Sequence, residues 1–181
     1  MCGRYYFDFK EAYLQLSKMD IDCSNMSINI SKAEIFPSQN VLVLVEENHK
    51  IIPVIKKWGI KGYQGNLLIN ARNETIKEKP TFSKLLDQRC IIVASGFYEW
   101  KKQGIKKAKI YIQKENASIL YMAGIYNENN EFVIITVQSE GDMAKIHHRS
   151  PLLLDEIAMK HYLFKELYTI DESKLLFALM P

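Results

Sequence analysis

The sequence contains a succession of short β-branched and aromatic runs with no regular helices between them. Gly, Asn and Glu-Asn turns separate these runs, and such turns bring each strand back beside the previous one. The runs lie at Val41 to Glu46, Lys50 to Lys57, Cys90 to Ala94, Lys109 to Gln113, Ser118 to Ile125 and Glu131 to Gln138. Because crossover helices are missing, the pattern predicts an α+β fold with a mostly antiparallel, curved or barrel-like sheet.

A few flanking helices complete the predicted fold. Asp8 is placed to cap a helix from about Phe9 to Met19, whose apolar residues share one face. Thr81 is predicted to cap a short helix, and two further helices fit Asp155 to Phe164 and Asp171 to Leu179. No internal repeat, low-complexity tract or linker divides the chain, so we expect a single domain.

Length and composition narrow the function classes. The 181 residues (21.1 kDa) suit one globular domain covering residues 1–181. The first residues carry charges and no apolar signal segment, and no charge-free run approaches membrane-spanning length, so we expect a cytoplasmic protein that does not enter a membrane. Three cysteines without a CxxC pair argue against a disulfide framework and a closed zinc site. No cofactor fingerprint is present, so neither a metal nor a cofactor is expected.

Cys2 is the first candidate for chemistry. If Met1 is removed, Cys2 carries an α-amine and a thiol on adjacent carbons, and both groups are partly nucleophilic near neutral pH. This 1,2-aminothiol can condense with an aldehyde to form an imine and then a five-membered thiazolidine ring. The alternative is a frayed terminus with an incidental cysteine, but the adjacent Gly3 and Arg4 favour a ligand site.

The segment Asn70-Ala71-Arg72-Asn73-Glu74 follows an apolar run. An amide, a guanidinium and a carboxylate at alternating positions share one face of an extended strand. One interpretation is an edge that makes hydrogen bonds and grips phosphate. The other is a surface ion pair between Arg72 and Glu74, and spacing does not decide between them.

Glu99 and His147 are two further candidates for acid/base chemistry. Glu99 lies between Tyr98 and Trp100, where apolar walls favour a role in proton transfer, although alternation in a strand also permits a solvent-facing carboxylate. His147 is followed by a second histidine, and neighbours on an extended chain point to opposite faces. A catalytic His147 near Arg149 is therefore a better interpretation than a metal site, and an exposed or capping histidine is the alternative.

These segments, in this order, resemble the SRAP (SOS response-associated peptidase) family. The matching motifs are Met1-Cys2-Gly3-Arg4-Tyr5, Phe36-Pro37-Ser38-Gln39, Trp58-Gly59, Asn70-Ala71-Arg72 with Glu74, Gly96-Phe97-Tyr98-Glu99-Trp100 and His147-x-Arg149-x-Pro151. The departures include Phe36 and Ser38, where the family usually has Ala and Thr, and the segment Ile60-Lys61-Gly62-Tyr63 after Trp58-Gly59.

The resemblance implies a monomeric protein that recognises abasic sites in single-stranded DNA and links its N-terminal cysteine to the sugar aldehyde. The implied catalytic residues are Cys2 as the nucleophile, Asn70 as the residue that orients its amine, Glu99 as the acid/base and His147 as the residue that assists sugar ring opening. The implied DNA contacts are Arg4, Arg72 and Arg149 with phosphates, and Trp58 and Pro37 with bases.

Two other functions compete with covalent capture. The family name suggests a cysteine peptidase with a Cys2–His147 dyad, which we expect to be limited to removal of Met1. A non-catalytic single-stranded DNA binder using Trp58, the arginines and the lysines between Lys101 and Lys109 is the third hypothesis. Lyase activity through an imine is an expected side reaction of covalent capture.

Overall fold

The structure is a computed structural model that describes residues 2–23, 32–167, 170 and 174–180. The helices are α1 (Phe9–Ser17), α2 (Pro80–Ser83), α3 (Gly141–Ala144) and α4 (Glu156–Leu163). The strands are β1 (Tyr5–Asp8), β2 (Lys32–Ile35), β3 (Asn40–Glu47), β4 (Lys50–Trp58), β5 (Ile60–Lys61), β6 (Leu67–Leu68), β7 (Asn70–Arg72), β8 (Arg89–Ala94), β9 (Gly96–Gln103), β10 (Lys106–Lys114), β11 (Leu120–Tyr126), β12 (Glu131–Gln138), β13 (Arg149–Pro151), β14 (Leu153–Leu154) and β15 (Leu175–Leu179). The α+β prediction is confirmed.

A barrel forms the centre of the fold. Strands β12, β4, β3, β8 and β11 pair in turn, and β11 pairs back with β12 to close the ring. Only the pairings of β12 with β4 and β7 are parallel in this part of the structure. A hairpin joins β3 to β4 through Asn48 and His49, whose φ angles of 51° and 60° suit a tight hairpin turn. The barrel-like prediction is therefore confirmed.

A second sheet grows directly out of the barrel. Its strand order is β15-β10-β9-β1-β2, and Ser95 is the single residue between β8 of the barrel and β9 of this sheet. The Ser95 N–H donates to the Tyr6 carbonyl at 2.8 Å, and its hydroxyl accepts from the Asp8 N–H at 3.2 Å. These bonds hold β1 across the junction, so the N-terminal segment lies against the barrel.

The core runs through both sheets without a break. Strand β3 is buried continuously from Val41 to Val45, which is why its apolar residues form a run and do not alternate with polar ones. Strands β8, β11 and β12 contribute further buried aliphatic side chains, among them Ile91, Ile92 and Met122. The site described below stands at the edge of this core.

Two helix predictions are confirmed. Asp8 caps α1 by accepting from the backbone N–H groups of Lys10 and Glu11, and Asp155 caps α4 by accepting from the Ala158 N–H at 2.7 Å. The predicted cap at Thr81 is wrong, since α2 begins at Pro80, a residue suited to the first helical position. In the described part of the chain, none of the helices is long and apolar enough to span a membrane.

The predicted helix from Asp171 to Leu179 is also wrong over Leu175–Leu179. Residues 171–173 lie outside the described residues, and Leu175–Leu179 form β15. This strand pairs antiparallel with β10, from Lys114 opposite Leu175 to Ile110 opposite Leu179. The hydrogen-bonding edge of β10 supplies ladder bonds that outweigh the local helical pattern.

The close packing of the barrel can be tested at Gly124. A Cβ there would lie 2.8 Å from the Val133 carbonyl oxygen and 2.6 Å from the Ile92 side chain. Because the backbone oxygen has little room to move, Gly124→Ala should lower the free energy of unfolding by about 1–3 kcal/mol in urea denaturation. The control Ser118→Ala changes an exposed position and should stay within about 0.5 kcal/mol. Equal stability of both variants would contradict the packing.

Candidate active site

Cys2 lies just before β1 and is fully buried. Its thiol donates a weak hydrogen bond to the Arg4 carbonyl at 3.7 Å, and its own carbonyl oxygen accepts from Asn70 Nδ2 at 2.9 Å. Burial, reinforced by the negative charge of Glu99, raises the pKa of the Cys2 thiol to about 12. The sulfur is therefore protonated at neutral pH in this arrangement.

Asn70 connects the barrel to the N-terminal segment. It begins β7, whose parallel pairing with β12 places it opposite Ile134. The residue before it is fixed because Trp58 Nε1 donates to the Ile69 carbonyl at 3.0 Å. The Oδ1 atom of Asn70 is buried and accepts no hydrogen bond within the described part of the chain. The amide thus holds Cys2 with its donor and retains an acceptor.

Glu99 and His147 lie together beside this pair. Glu99, on β9, is 2% exposed, and its Oε1 is 4.0 Å from His147 Nδ1. The same ring nitrogen accepts from the Arg149 backbone N–H at 3.0 Å, which fixes the orientation of the imidazole. A buried carboxylate next to a partly exposed imidazole is an arrangement suited to proton transfer.

The two adjacent histidines do not point to opposite faces, so that expectation is wrong. Their rings stack with centroids 4.4 Å apart and planes 30° apart, because residues 147 and 148 lie in a bend after α3 and not in a strand. The charge of His147 lowers the pKa of the exposed His148. Among the described residues, no three His, Cys, Asp or Glu side chains are grouped so as to hold a metal ion.

Arg149 has an internal partner. Its two terminal nitrogens donate to the Glu74 carboxylate at 2.8 and 2.9 Å, and it also bonds to Thr136. Glu74 therefore pairs with Arg149. The alternative interpretation, a surface ion pair between Arg72 and Glu74, is not what the structure has. Arg149 is only 7% exposed. The implied phosphate contact at Arg149 stays a prediction, and it would require a phosphate to displace Glu74.

Arg4 is also neutralised by a partner that sequence reasoning missed. Its guanidinium donates to Glu34 at 3.2 Å, and the same carboxylate forms an ion pair with Lys109. The Arg4 Cζ atom lies 4.1 Å from the Phe36 ring centroid and 5.2 Å from that of Trp100. No local signal identifies Glu34 as a partner, because it lies 30 residues from Arg4 and 75 residues from Lys109 in the chain.

Trp58 does not present a surface to bases, and this implied role is corrected. The side chain is 0% exposed, and its ring packs on Tyr5 with centroids 5.4 Å apart. The burial of the indole ring leaves no face on which a base could stack. The two other implied contacts are accessible: Pro37 is partly exposed between β2 and β3, and Arg72 is exposed at the end of β7.

Comparisons with known proteins agree with this architecture. A family model described as SOS response associated peptidase (SRAP) matches residues 1–180. The abasic site processing protein YedK of Escherichia coli is 30% identical over 188 residues, covering 97% of this chain and 85% of YedK. The abasic site processing protein YoqW of Bacillus subtilis is 32% identical over 185 residues, covering 90% and 80%. A crystal structure of a Bacteroides thetaiotaomicron protein superposes with a TM-score of 0.80 at 20% identity, covering 99% of this chain and 92% of that one.

The ion pair between Glu74 and Arg149 makes stability depend on pH. The hydrogen bonds from Arg149 lower the pKa of Glu74 to about 2, so its stabilising effect is full above the ordinary glutamate pKa and is lost as pH falls towards 2. Glu74→Gln should cost roughly 1 kcal/mol at pH 7, a modest value because the carboxylate is half exposed to water. Urea denaturation from pH 7 to pH 2 should show this difference shrinking below about pH 4.5.

The matched control for this measurement is Glu78→Gln, which changes an exposed carboxylate in the same segment. It should leave the difference near zero at every pH. A Glu74→Gln difference that stayed constant between pH 7 and pH 2 would mean that the ion pair does not contribute through its charge.

Proposed function

The chain belongs to the SOS response associated peptidase (SRAP) family, and from this premise we propose that it processes abasic sites in DNA. YedK and YoqW are both named abasic site processing proteins. Specifically, the protein binds single-stranded DNA and captures the aldehyde of the opened abasic sugar through Cys2. The product is a thiazolidine DNA–protein crosslink that protects the lesion.

The observation that carries this proposal is the connected group around Cys2. The Asn70 amide bonds to the Cys2 backbone, Glu99 acts on the thiol electrostatically, and His147 lies 4.0 Å from Glu99. These residues come from four separate segments of the chain. They place a hydrogen-bond acceptor, a buried carboxylate and an imidazole around the residue that would bear the amine and the thiol.

The capture reaction needs no co-reactant. Removal of Met1 frees the α-amine of Cys2, whose nitrogen adds to the aldehyde carbon and expels water to form an imine. The sulfur then bonds to the imine carbon, and the thiol proton passes to the nitrogen. The ring closes as a thiazolidine with one water released and no change in oxidation state.

The raised thiol pKa assigns the first step to the amine. A thiol with a pKa of about 12 is a poor initial nucleophile, whereas a free α-amine titrates near ~7.7–8.0. The acceptor oxygen of Asn70 suits it to orient this amine. Glu99 then takes a proton from the nitrogen and delivers one to the departing water.

His147 is assigned to the step that produces the aldehyde. An abasic sugar is mostly a closed hemiacetal, so its C1′ hydroxyl must lose a proton while the ring oxygen gains one. The imidazole is 23% exposed and is fixed by the Arg149 N–H. It is therefore both reachable by a sugar and oriented for proton transfer.

DNA binding falls mainly to the exposed cations and to the turn that contains Pro37. Arg72 is exposed at the end of β7, and the β9–β10 hairpin presents exposed Lys102, Lys106 and Lys107. These charges can neutralise phosphates of a single strand. Contacts from Arg4 would require a phosphate to compete with its carboxylate partner.

A cysteine peptidase built on Cys2 and His147 is the alternative enzyme. Its nucleophile would be a thiolate, but burial raises the pKa of the Cys2 thiol to about 12. Such a dyad also gains nothing from a terminal amine. We therefore limit peptidase activity to removal of Met1, and the intact mass of the purified protein reports whether that removal has occurred.

Cys2→Ala in protein lacking Met1 tests the capture reaction. The variant keeps the amine and loses the sulfur, so it can form an imine but cannot close the thiazolidine. Wild-type protein mixed with an abasic oligonucleotide should give a band that survives a denaturing gel without reductant. Cys2→Ala should give that band only with borohydride, and should otherwise nick the strand more.

The matched control is Cys23→Ala, which removes another buried cysteine and should crosslink like the wild type. If Cys2→Ala formed a reductant-independent crosslink as efficiently as wild type, the aminothiol mechanism would be wrong. Binding without any crosslink by protein lacking Met1 would support the non-catalytic binder.

His147→Ala tests the ring-opening step. Crosslinking to a closed abasic sugar should slow by about 10²-fold or more, the usual contribution of a general acid/base. Crosslinking to an oligonucleotide that carries a linear aldehyde should slow much less, because no ring has to open. His148→Ala removes the stacked neighbour as a control. Equal losses on both substrates would contradict a ring-opening role for His147.

A further inference from the structure

Phe36 is an exposed aromatic ring in contact with Arg4, which is two residues from Cys2. It is 41% exposed and directly precedes Pro37, the residue implied to meet bases. The other residue implied for that purpose, Trp58, is buried. Covalent capture at Cys2 does not by itself account for an exposed aromatic ring at this position.

The backbone around Phe36 is held rigidly. Pro37 and Ser38 form the centre of a tight turn in which the Gln39 N–H donates to the Phe36 carbonyl at 3.3 Å. Ser38 has a φ of +76°, which only a few non-glycine residues adopt. The Phe36 N–H donates to Gln39 Oε1 at 2.8 Å. A ring on such a turn loses little conformational entropy when it binds a partner.

The turn is also anchored to the core. The Ser38 N–H donates to the Trp58 carbonyl at 2.7 Å, and the Trp58 N–H donates to the Gln39 carbonyl at 2.9 Å. The position of the Phe36 ring is therefore set by the same buried residue that aligns the start of β7.

Arg4 covers one face of the Phe36 ring. Its Cζ atom is 4.1 Å from the ring centroid, and Arg4 is two residues from Cys2. With a cation on one face, the exposed surface of the ring lies on the other side and at its edge. Aromatic rings combined with cations are the recurrent means of holding unpaired bases, because every base has a π-face that can stack.

We propose that Phe36 stacks on a nucleobase next to the abasic site, so that Phe36 and Pro37 together hold the flanking base while the lesion reaches Cys2. This inference rests on the proposed function, since the ligand is single-stranded DNA. Stacking is independent of the covalent step, however, and is testable without it.

The experiment uses a single-stranded oligonucleotide with a tetrahydrofuran abasic analogue, which has no aldehyde and cannot crosslink. A 2-aminopurine placed on one side of the lesion, or on the other in a second oligonucleotide, reports stacking by fluorescence quenching. Wild type should quench one of the two. Phe36→Leu should abolish that quenching and weaken binding roughly 5- to 150-fold, the usual range for one stacked base. Phe36→Tyr, which keeps the ring, should retain both properties.

Two comparisons separate stacking from other effects. Tyr13→Leu removes an aromatic ring of similar exposure on α1 and should change neither quenching nor affinity. Arg72→Ala should flatten the salt dependence of binding by about one unit, whereas Phe36→Leu should leave that slope unchanged. Thermal unfolding of each variant checks that the turn has not collapsed.

The outcomes distinguish this inference from the proposed function. Wild-type affinity and quenching in Phe36→Leu would overturn the stacking role while leaving covalent capture intact. Loss of affinity in Phe36→Tyr equal to that in Phe36→Leu would also overturn it. Absence of any DNA binding by wild type would overturn both, and binding with quenching but no crosslink to a true abasic site would overturn only covalent capture.

Discussion

The burial of one indole ring determines how the site is assembled. Trp58 is packed on Tyr5 of β1, donates from its ring nitrogen to the Ile69 carbonyl before β7, and bonds through its backbone to Ser38 and Gln39. It thereby joins the N-terminal strand, the strand that begins with Asn70 and the turn that carries Phe36 and Pro37. Removing a ring of this size from a core typically costs about 3–5 kcal/mol, so these segments are held in one arrangement.

The charges around the site follow from the cost of burying an arginine. Arg149 is buried and Arg4 is partly buried, and each has a carboxylate partner, Glu74 and Glu34 respectively. Both cations are thus partly neutralised before any DNA arrives. Under the proposed function, attraction of the phosphate backbone would depend more on exposed residues such as Arg72, and a phosphate contact at Arg149 or Arg4 would have to displace a carboxylate. Burial likewise keeps the Cys2 thiol neutral, and in the proposed reaction the amine would therefore react first.

Much of the fold could be predicted because strand and cap signals are local. The alternation of apolar runs with turns, and the side-chain oxygens of Asp8 and Asp155 ahead of apolar periodic segments, act within a few residues of where they occur in the sequence. The segment Leu175–Leu179 shows the limit of such signals. Its local pattern suits a helix, yet the edge of β10 recruits it as a strand, and that edge lies more than 60 residues away in the sequence.

The chemical groups of the site can be recognised without coordinates, from the identities and order of Cys2, Asn70, Glu99 and His147. The partners of these and the neighbouring residues depend on how the chain folds. In the folded chain Trp58 is buried in the core, Arg149 pairs with Glu74, which lies 75 residues away in the sequence, and Phe36 is exposed. Local sequence reports periodicity and propensity, whereas burial and long-range ion pairs depend on which distant segments meet when the barrel closes.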